Sequence, residues 1–207
     1  MFPFPFSFVA PAASGLADID NVYSMEFDGV NDYFDLTQHD LGTVNTISFW
    51  LKRANTDNVW TTIFGEPSNT FDQLITINWG GGPALFYYKD PANNKSIWNV
   101  ESYKDTNWHH YVVTRNGTAT ILYVDGVALS LDGSSGTLSG NTMFRYLGVN
   151  YNTNTQWFEG GIDELAAFDY TLDAGQVSEI YNATSTGKTA DLSTMATPPV
   201  AWYRMGD

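Results

Sequence analysis

The chain has 207 residues, 43% hydrophobic and 15% aromatic, enough for one folded domain with a tail and too aromatic for a disordered chain. Nine Lys and Arg against 23 Asp and Glu give a formal charge of −14, which suits cations and argues against binding nucleic-acid phosphate or an anionic membrane. Cysteine is absent, which removes disulfides, zinc–thiolate sites and cysteine nucleophiles but leaves the compartment open.

Residues 1–15, MFPFPFSFVAPAASG, are apolar but lack the positive start of a secretory signal, and Pro3 and Pro5 interrupt any helical core of one. Phe2, Phe4, Phe6 and Phe8 recur every second residue and share one face of an extended segment. The prolines confine it to an edge strand or a polyproline-like arm, which we expect to pack on a partner subunit. Short alternating runs between turn clusters then predict strands at Tyr23–Phe27, Tyr33–Leu36, Thr46–Lys52, Thr61–Phe64, Gln73–Asn78 and Ala84–Tyr88. More follow at Ser96–Val100, Trp108–Arg115, Thr118–Val124, Tyr146–Val149 and Phe158–Phe168, the last with a candidate break at Gly160-Gly161. Asn116-Gly117 and Asp125-Gly126 read as tight hairpin turns, since these residues tolerate positive φ.

One short helix is predicted over Asp173–Tyr181. Asp173 and Gln176 have capping-box spacing, Leu172 and Val177 have staple spacing, and Val177, Ile180 and Tyr181 share a face. We expect it as a lid on a sandwich edge. Residues 182–199 are rich in Thr, Ser, Ala and Pro and read as a linker, followed by the β-prone run Val200–Met205. No stretch approaches the ~20 apolar residues of a membrane span. The expected organisation is an arm over 1–20, a sandwich over 21–182, and a linker with a terminal strand over 183–207.

Four blocks in order carry a family resemblance. Met25-Glu26-Phe27-Asp28-Gly29-Val30-Asn31-Asp32-Tyr33-Phe34 resembles the opening F-D-G-x-D-D-Y of laminin-G-like, concanavalin A-type domains. Thr46-Ile47-Ser48-Phe49-Trp50-Leu51-Lys52 is similar to their Trp-bearing strand, and Trp108-His109-His110-Tyr111-Val112 with Leu122-Tyr123-Val124-Asp125-Gly126 to their hairpin. Gly160-Gly161-Ile162-Asp163-Glu164-Leu165, with Leu172 and Val177 to Tyr181, is similar to their closing block. The resemblance implies an all-β, concanavalin A-like jelly-roll sandwich of two antiparallel sheets with one short C-terminal helix. It also implies a binding, adhesion or architectural role, often with calcium at a sheet edge. One departure stands out. The strand that such domains place before the F-D-G block is matched here by Val200-Ala201-Trp202-Tyr203-Arg204-Met205-Gly206-Asp207, at the other end. It completes the same sandwich as a permuted strand, pairs with a neighbouring subunit, or begins a second repeat.

Related sandwiches include glycoside hydrolases and polysaccharide lyases, and retaining glycosidases need two carboxylates about 5–5.5 Å apart. Glu26 and Asp28 alternate, but Val30 follows them; Asp163 and Glu164 are adjacent, which on a regular strand places them on opposite faces. Alginate-lyase and sialidase motifs are missing, and the chain is read as non-enzymatic. His109 and His110 are likewise expected on opposite faces, one inward and hydrogen-bonded, with His39 in a polar loop. Calcium is the candidate cofactor, because hard cations take six to eight oxygens. Asp28, Asn31 and Asp32 can converge around a turn, and the resemblance adds Asp163; the alternative is an Asx-turn that merely closes the chain.

Trp60, Trp79, Trp98 and Trp157 stand in or beside Gly/Asn-rich segments and are candidate ligand-binding rings, whereas Trp50 and Trp108 are assigned to the core. Trp202 and Tyr203, with the Phe arm, are candidate partner contacts. The reading is a non-catalytic module for adhesion or assembly on an extracellular or virion surface, a virus decoration or fibre component, through protein subunits and glycans. The alternative is a secreted, monomeric, lectin-like carbohydrate-binding module, with a glycan-active hydrolase or lyase behind both.

Overall fold

The computed structural model describes residues 15–55, 57, 59–65, 73–80, 82–150 and 155–206; Phe2, Phe4, Phe6 and Phe8 lie outside them. In chain order the elements are β1 (Asp18–Asp20), β2 (Met25–Asp28), β3 (Phe34–Asp40), β4 (Val44–Arg53), β5 (Trp60–Gly65) and β6 (Gln73–Asn78). Then come β7 (Leu85–Lys89), β8 (Lys95–Asn99), β9 (Trp108–Asn116), β10 (Ala119–Val124), β11 (Val127–Leu129) and β12 (Gly133–Ser135). The last are β13 (Met143–Leu147), β14 (Glu159–Phe168), α1 (Ala174–Asn182), β15 (Lys188–Ala190) and β16 (Ala201–Tyr203). One sheet runs β11-β10-β9-β4-β14, with β2 and β16 sharing the far edge of β14, and the other runs β12-β8-β7-β6-β5-β13-β3. β1 and β15 form a separate ribbon. This is the expected jelly-roll sandwich of antiparallel sheets with one helix.

Alternation builds the core. Ile47, Phe49 and Leu51 of β4 and Tyr111 and Val113 of β9 face Ile75, Ile77, Phe86 and Tyr88 of the opposite sheet. Tyr111 lies between Phe49 and Phe86 at centroid distances of 5.7 and 5.8 Å, joining the layers. The same central strands are apolar on their outer face too. There Val112, Tyr123, Ala166 and Phe168 meet Val177 and Ile180 of α1, together with Leu172, Leu192 and Met195. The helix therefore covers the outer face of a sheet and is not the edge lid we expected. Both capping-box bonds are present, Gln176 N–H to Asp173 Oδ1 at 2.9 Å and Asp173 N–H to Gln176 Oε1 at 3.0 Å. The Thr/Ser-rich stretch after it is laid on this same face.

Three local details differ from expectation. The first hairpin loop is Gly117-Thr118, with Asn116 already paired to Ala119, whereas Asp125-Gly126 closes its turn with φ of 52° and 77° as expected. Gly160-Gly161 does not break β14: a Cβ on Gly160, at φ 139°, would lie 2.1 Å from the Lys52 carbonyl oxygen, so glycine lets the strands approach. β14 instead carries a bulge between Asp163 and Ala166. Ile162 and Leu165 both face the inner core, three positions apart where alternation gives two. Asp163 and Glu164 therefore share the outer side, with Glu164 at φ 48°, and are not on opposite faces.

The terminal strand completes its own sandwich: Leu165, Ala166 and Ala167 pair with Tyr203, Trp202 and Ala201. Trp202 and Tyr203 are thus corrected from partner contacts to internal ones. Trp202 donates its indole N–H to Glu164, and the Tyr203 hydroxyl meets His39 Nε2 at 2.7 Å. β2 covers only the first half of β14, and the edge left beyond it is what β16 takes. His39 itself stands on β3, stacked on Phe144 at 5.1 Å, and not in a loop.

Candidate functional site

At one end of the sandwich, the ends of β4, β5 and β14 and the turn after β2 enclose a groove of about 290 Å³. Trp60, Trp79, Trp157, Arg53, Gln156 and Glu159 are among its lining residues. Trp60 is 41% exposed and stacks on Tyr87 at 5.0 Å, which fixes the ring while leaving a face to solvent. Trp157 is half-buried and tilts against Tyr33 at 6.2 Å. The floor is different. Trp79 is 1% exposed and Arg53 4% exposed, with the Arg53 guanidinium 4.1 Å from the indole centroid. Burial holds the Arg53 pKa below its ordinary value. Arg53 Nη2 donates to the Asp57 carbonyl at 2.6 Å, while Arg53 Nη1 and Trp79 Nε1 are buried with no hydrogen-bond partner among the described residues. At the rim Asn55 donates to Glu159 Oε2 at 2.7 Å, and Thr62 donates to Gln156 Oε1 at 3.1 Å.

The structure therefore brings Trp60, Trp79 and Trp157 together, Trp79 as floor and not as the mobile ring its glycines suggested. Trp98 is corrected: at 0% exposure, packed edge-on against Phe86, it presents no face to a ligand. Trp50 and Trp108 are also corrected. They face outward and line a cavity of about 370 Å³ on the outer face of the sheet that holds β4 and β9, with Tyr23, Asn21 and Asp163. Arg53 escaped sequence reading, although a signal existed: it continues the inward positions Ile47, Phe49 and Leu51 of β4, where alternation calls for an apolar residue.

The four oxygen-bearing residues proposed for calcium do not converge. Asp28 pairs with Glu159, and Ile162 with Met25, so Asp163 lies roughly 13 Å further along the strand. Asp28 Oδ1 accepts from Val30 N–H at 2.8 Å and Asn31 N–H at 3.1 Å, and Asp32 Oδ2 accepts from Asp28 N–H at 3.1 Å. These bonds are those of an Asx-turn, and they hold the Asp28 carboxyl below its ordinary range. Among the described residues, no three His, Asp or Glu side chains are gathered in a metal-ligand arrangement.

Asp163 and Glu164 belong to a buried polar cluster on the outer face. Asn21 Nδ2 donates to Asp163 Oδ2 at 2.9 Å and to Glu164 Oε1 at 3.4 Å. Glu164 also accepts from Thr189 Oγ1 at 2.9 Å, from Arg204 Nε at 3.3 Å and from the Trp202 indole. Burial pushes its pKa up. The two adjacent histidines do part: His110 is buried beneath Tyr181, bonded to Ser48 Oγ at 2.8 Å, while His109 bridges Asp125 and Asp105 at 2.7 and 3.1 Å.

Comparison with known proteins agrees with this architecture. Residues 28–178 match the family model described as the concanavalin A-like lectin/glucanases superfamily. Among solved structures, a heptameric pentraxin from Limulus polyphemus is similar at a TM-score of 0.54 and 16% identity, covering 75% of this chain and 79% of the pentraxin. A Bacteroides ovatus protein described as carbohydrate binding reaches 0.60 at 13% identity, over 93% of this chain and 53% of the other. The binding domain of botulinum neurotoxin serotype D reaches 0.55 at 12% identity, over 82% and 47%. The chain thus spans about half the length of the last two, and likeness at these identities concerns the fold. A comparison with curated proteins finds no match.

Proposed function

The chain belongs to the concanavalin A-like lectin/glucanases superfamily, and from that premise we propose that it is a non-catalytic module that binds glycan in the groove between Trp60 and Trp157. The observation that carries this reading is that tryptophans from opposite halves of the chain line one groove, two of them with ring area still open to solvent. Indole faces stack on the apolar faces of sugar rings, and Asn55, Gln156 and Glu159 place polar groups beside them for hydroxyls. Glycosidase chemistry needs two carboxylates across one bond. Among the described residues lining the groove, Glu159 is the one acid, and Asp163 and Glu164 are engaged elsewhere. We take such a module to act in adhesion on an extracellular or virion surface. Of the two features that argued for subunit assembly, the terminal strand closes its own sheet, which moves the weight toward glycan recognition.

A glycan array followed by calorimetric titration tests the reading. Trp60→Ala and Trp157→Ala are each expected to weaken the best array ligand by about tenfold or more, with little change in melting temperature. An array without signal, or variants that bind as the native chain does, overturns it.

A further inference from the structure

The floor of the groove says more about the ligand. Arg53 is almost fully buried, bonded through one nitrogen to a neutral carbonyl, and has Nη1 without a partner. Four other cations are held differently. Arg145 pairs with Asp35, Arg204 with Glu164 and Lys188 with Asp18. Arg115, equally buried, donates to the Gly117 carbonyl, Thr142 Oγ1 and the Gly140 carbonyl. With 23 acidic residues to nine basic ones, the chain has no shortage of carboxylates to place opposite Arg53. A buried guanidinium without a carboxylate bonded to it, and with one nitrogen lacking an acceptor among the described residues, carries a desolvation cost that a bound partner would relieve. Trp79 Nε1, stacked beneath the same guanidinium, is a second buried donor without a partner. Other unpartnered atoms, such as Thr76 Oγ1 and His110 Nδ1, belong to residues that do not line this groove.

We propose that the ligand of this groove is an acidic saccharide, a uronic-acid oligomer, whose carboxylate accepts from Arg53 Nη1 and Trp79 Nε1 while its rings stack on Trp60 and Trp157. The proposal rests on the glycan-binding reading and names the substrate class of that same site. Arg53 answers a planar carboxylate with a charge-assisted bond, which a neutral hydroxyl cannot match. Asp57, Asp105 and Glu101 already act on the Arg53 charge, and Glu159 is the acid that lines the groove itself. Glu159 is exposed at the rim and bonded to Asn55, so water screens it more than it screens the buried cation.

The test uses the full chain and matched probes: oligomers of galacturonate, mannuronate, guluronate and glucuronate, each beside its carboxyl-reduced neutral form. At least one acidic oligomer is expected to bind about ten- to a hundredfold tighter than its reduced counterpart in calorimetric titration. Arg53→Gln is expected to erase that preference and keep the weaker binding of the neutral form. Because that variant removes a buried side chain and can fail to fold, the native chain's preference between matched probes decides on its own. Equal binding of the two forms, or binding confined to neutral or sulfated sugars, overturns the acidic ligand and leaves the glycan module standing. No binding to any sugar on the panel or the array overturns both.

Discussion

Glu164 and Arg53 are buried charges on neighbouring strands of one sheet, and they meet opposite fates. Glu164 collects donors from Asn21, Thr189, Trp202 and Arg204, groups drawn from both ends of the chain. Arg53 sits over Trp79 with a nitrogen unpartnered at the floor of a groove. A buried polar group whose bonds are all made within the chain fastens structure, and one left open at a groove is poised for something from outside. Removing the first should therefore cost stability and spare binding, and changing the second should cost binding of the acidic ligand.

The largest effect is expected at the fastened end. Glu164→Ala removes the acceptor of Arg204 Nε, Thr189 Oγ1 and the Trp202 indole N–H, and is expected to lower unfolding free energy by about 3–5 kcal/mol in urea titration. Glycan affinity, measured where the variant is still folded, should not move. A Glu164→Ala protein as stable as the native chain breaks the contrast, because the cluster would then hold nothing together.

A smaller effect sharpens it. His110 also has an unpartnered atom, Nδ1, but under Tyr181 and away from the groove. Burial pulls its pKa from 6.5 down to about 4, so the folded chain keeps it neutral while the unfolded chain takes up a proton below 6.5. Its contribution is then fully present above about pH 6.5 and is lost as pH falls to about 4, on the order of 2–3 kcal/mol. His109 works the other way, its pKa raised by Asp125, with a contribution present below pH 6.5 and lost as pH rises through the raised value. Unfolding curves between pH 4 and 7 should show the loss, and His110→Gln should flatten it. An unchanged slope in that variant would mean that the acid sensitivity lies elsewhere.

Much of this molecule was legible beforehand, for reasons that differ between residues. The long strands announced themselves because Ile47, Phe49 and Leu51 alternate over a run with few interpretations. β1, β11, β12 and β15 have three residues each, too few to display a period of two. The bulge at Asp163-Glu164 was invisible because alternation assumes a regular strand, and the error propagated to the faces of both acids. Gly/Asn-rich neighbours point to tryptophans as ligand rings, but burial is a tertiary property: Trp98 belongs to the interior, and Trp50 opens onto a cavity. The Glu164 cluster could not be foreseen, since its members come from residues 21, 164, 189, 202 and 204.

The smallest effect concerns the turn at the rim of the groove, where the contrast between fastened and open groups is weakest because water reaches both. Asp28 holds Val30 and Asn31 through one oxygen. If that Asx-turn is its whole role, Asp28→Asn keeps the acceptor and should lower the melting temperature slightly and equally in calcium and in chelator. If calcium also binds there, as the resemblance suggested, the native chain should melt higher in calcium, and Asp28→Asn should abolish that rise because it removes the charge the ion needs. Asp163→Asn separates the two further. Since the register carries Asp163 away from the turn, that variant should leave any calcium-dependent rise intact while weakening the Asn21 contact at the other end of the strand. A calcium response that vanished with Asp163 instead would relocate the cation to the fastened cluster, whose apparent saturation would then describe only its metal-free state.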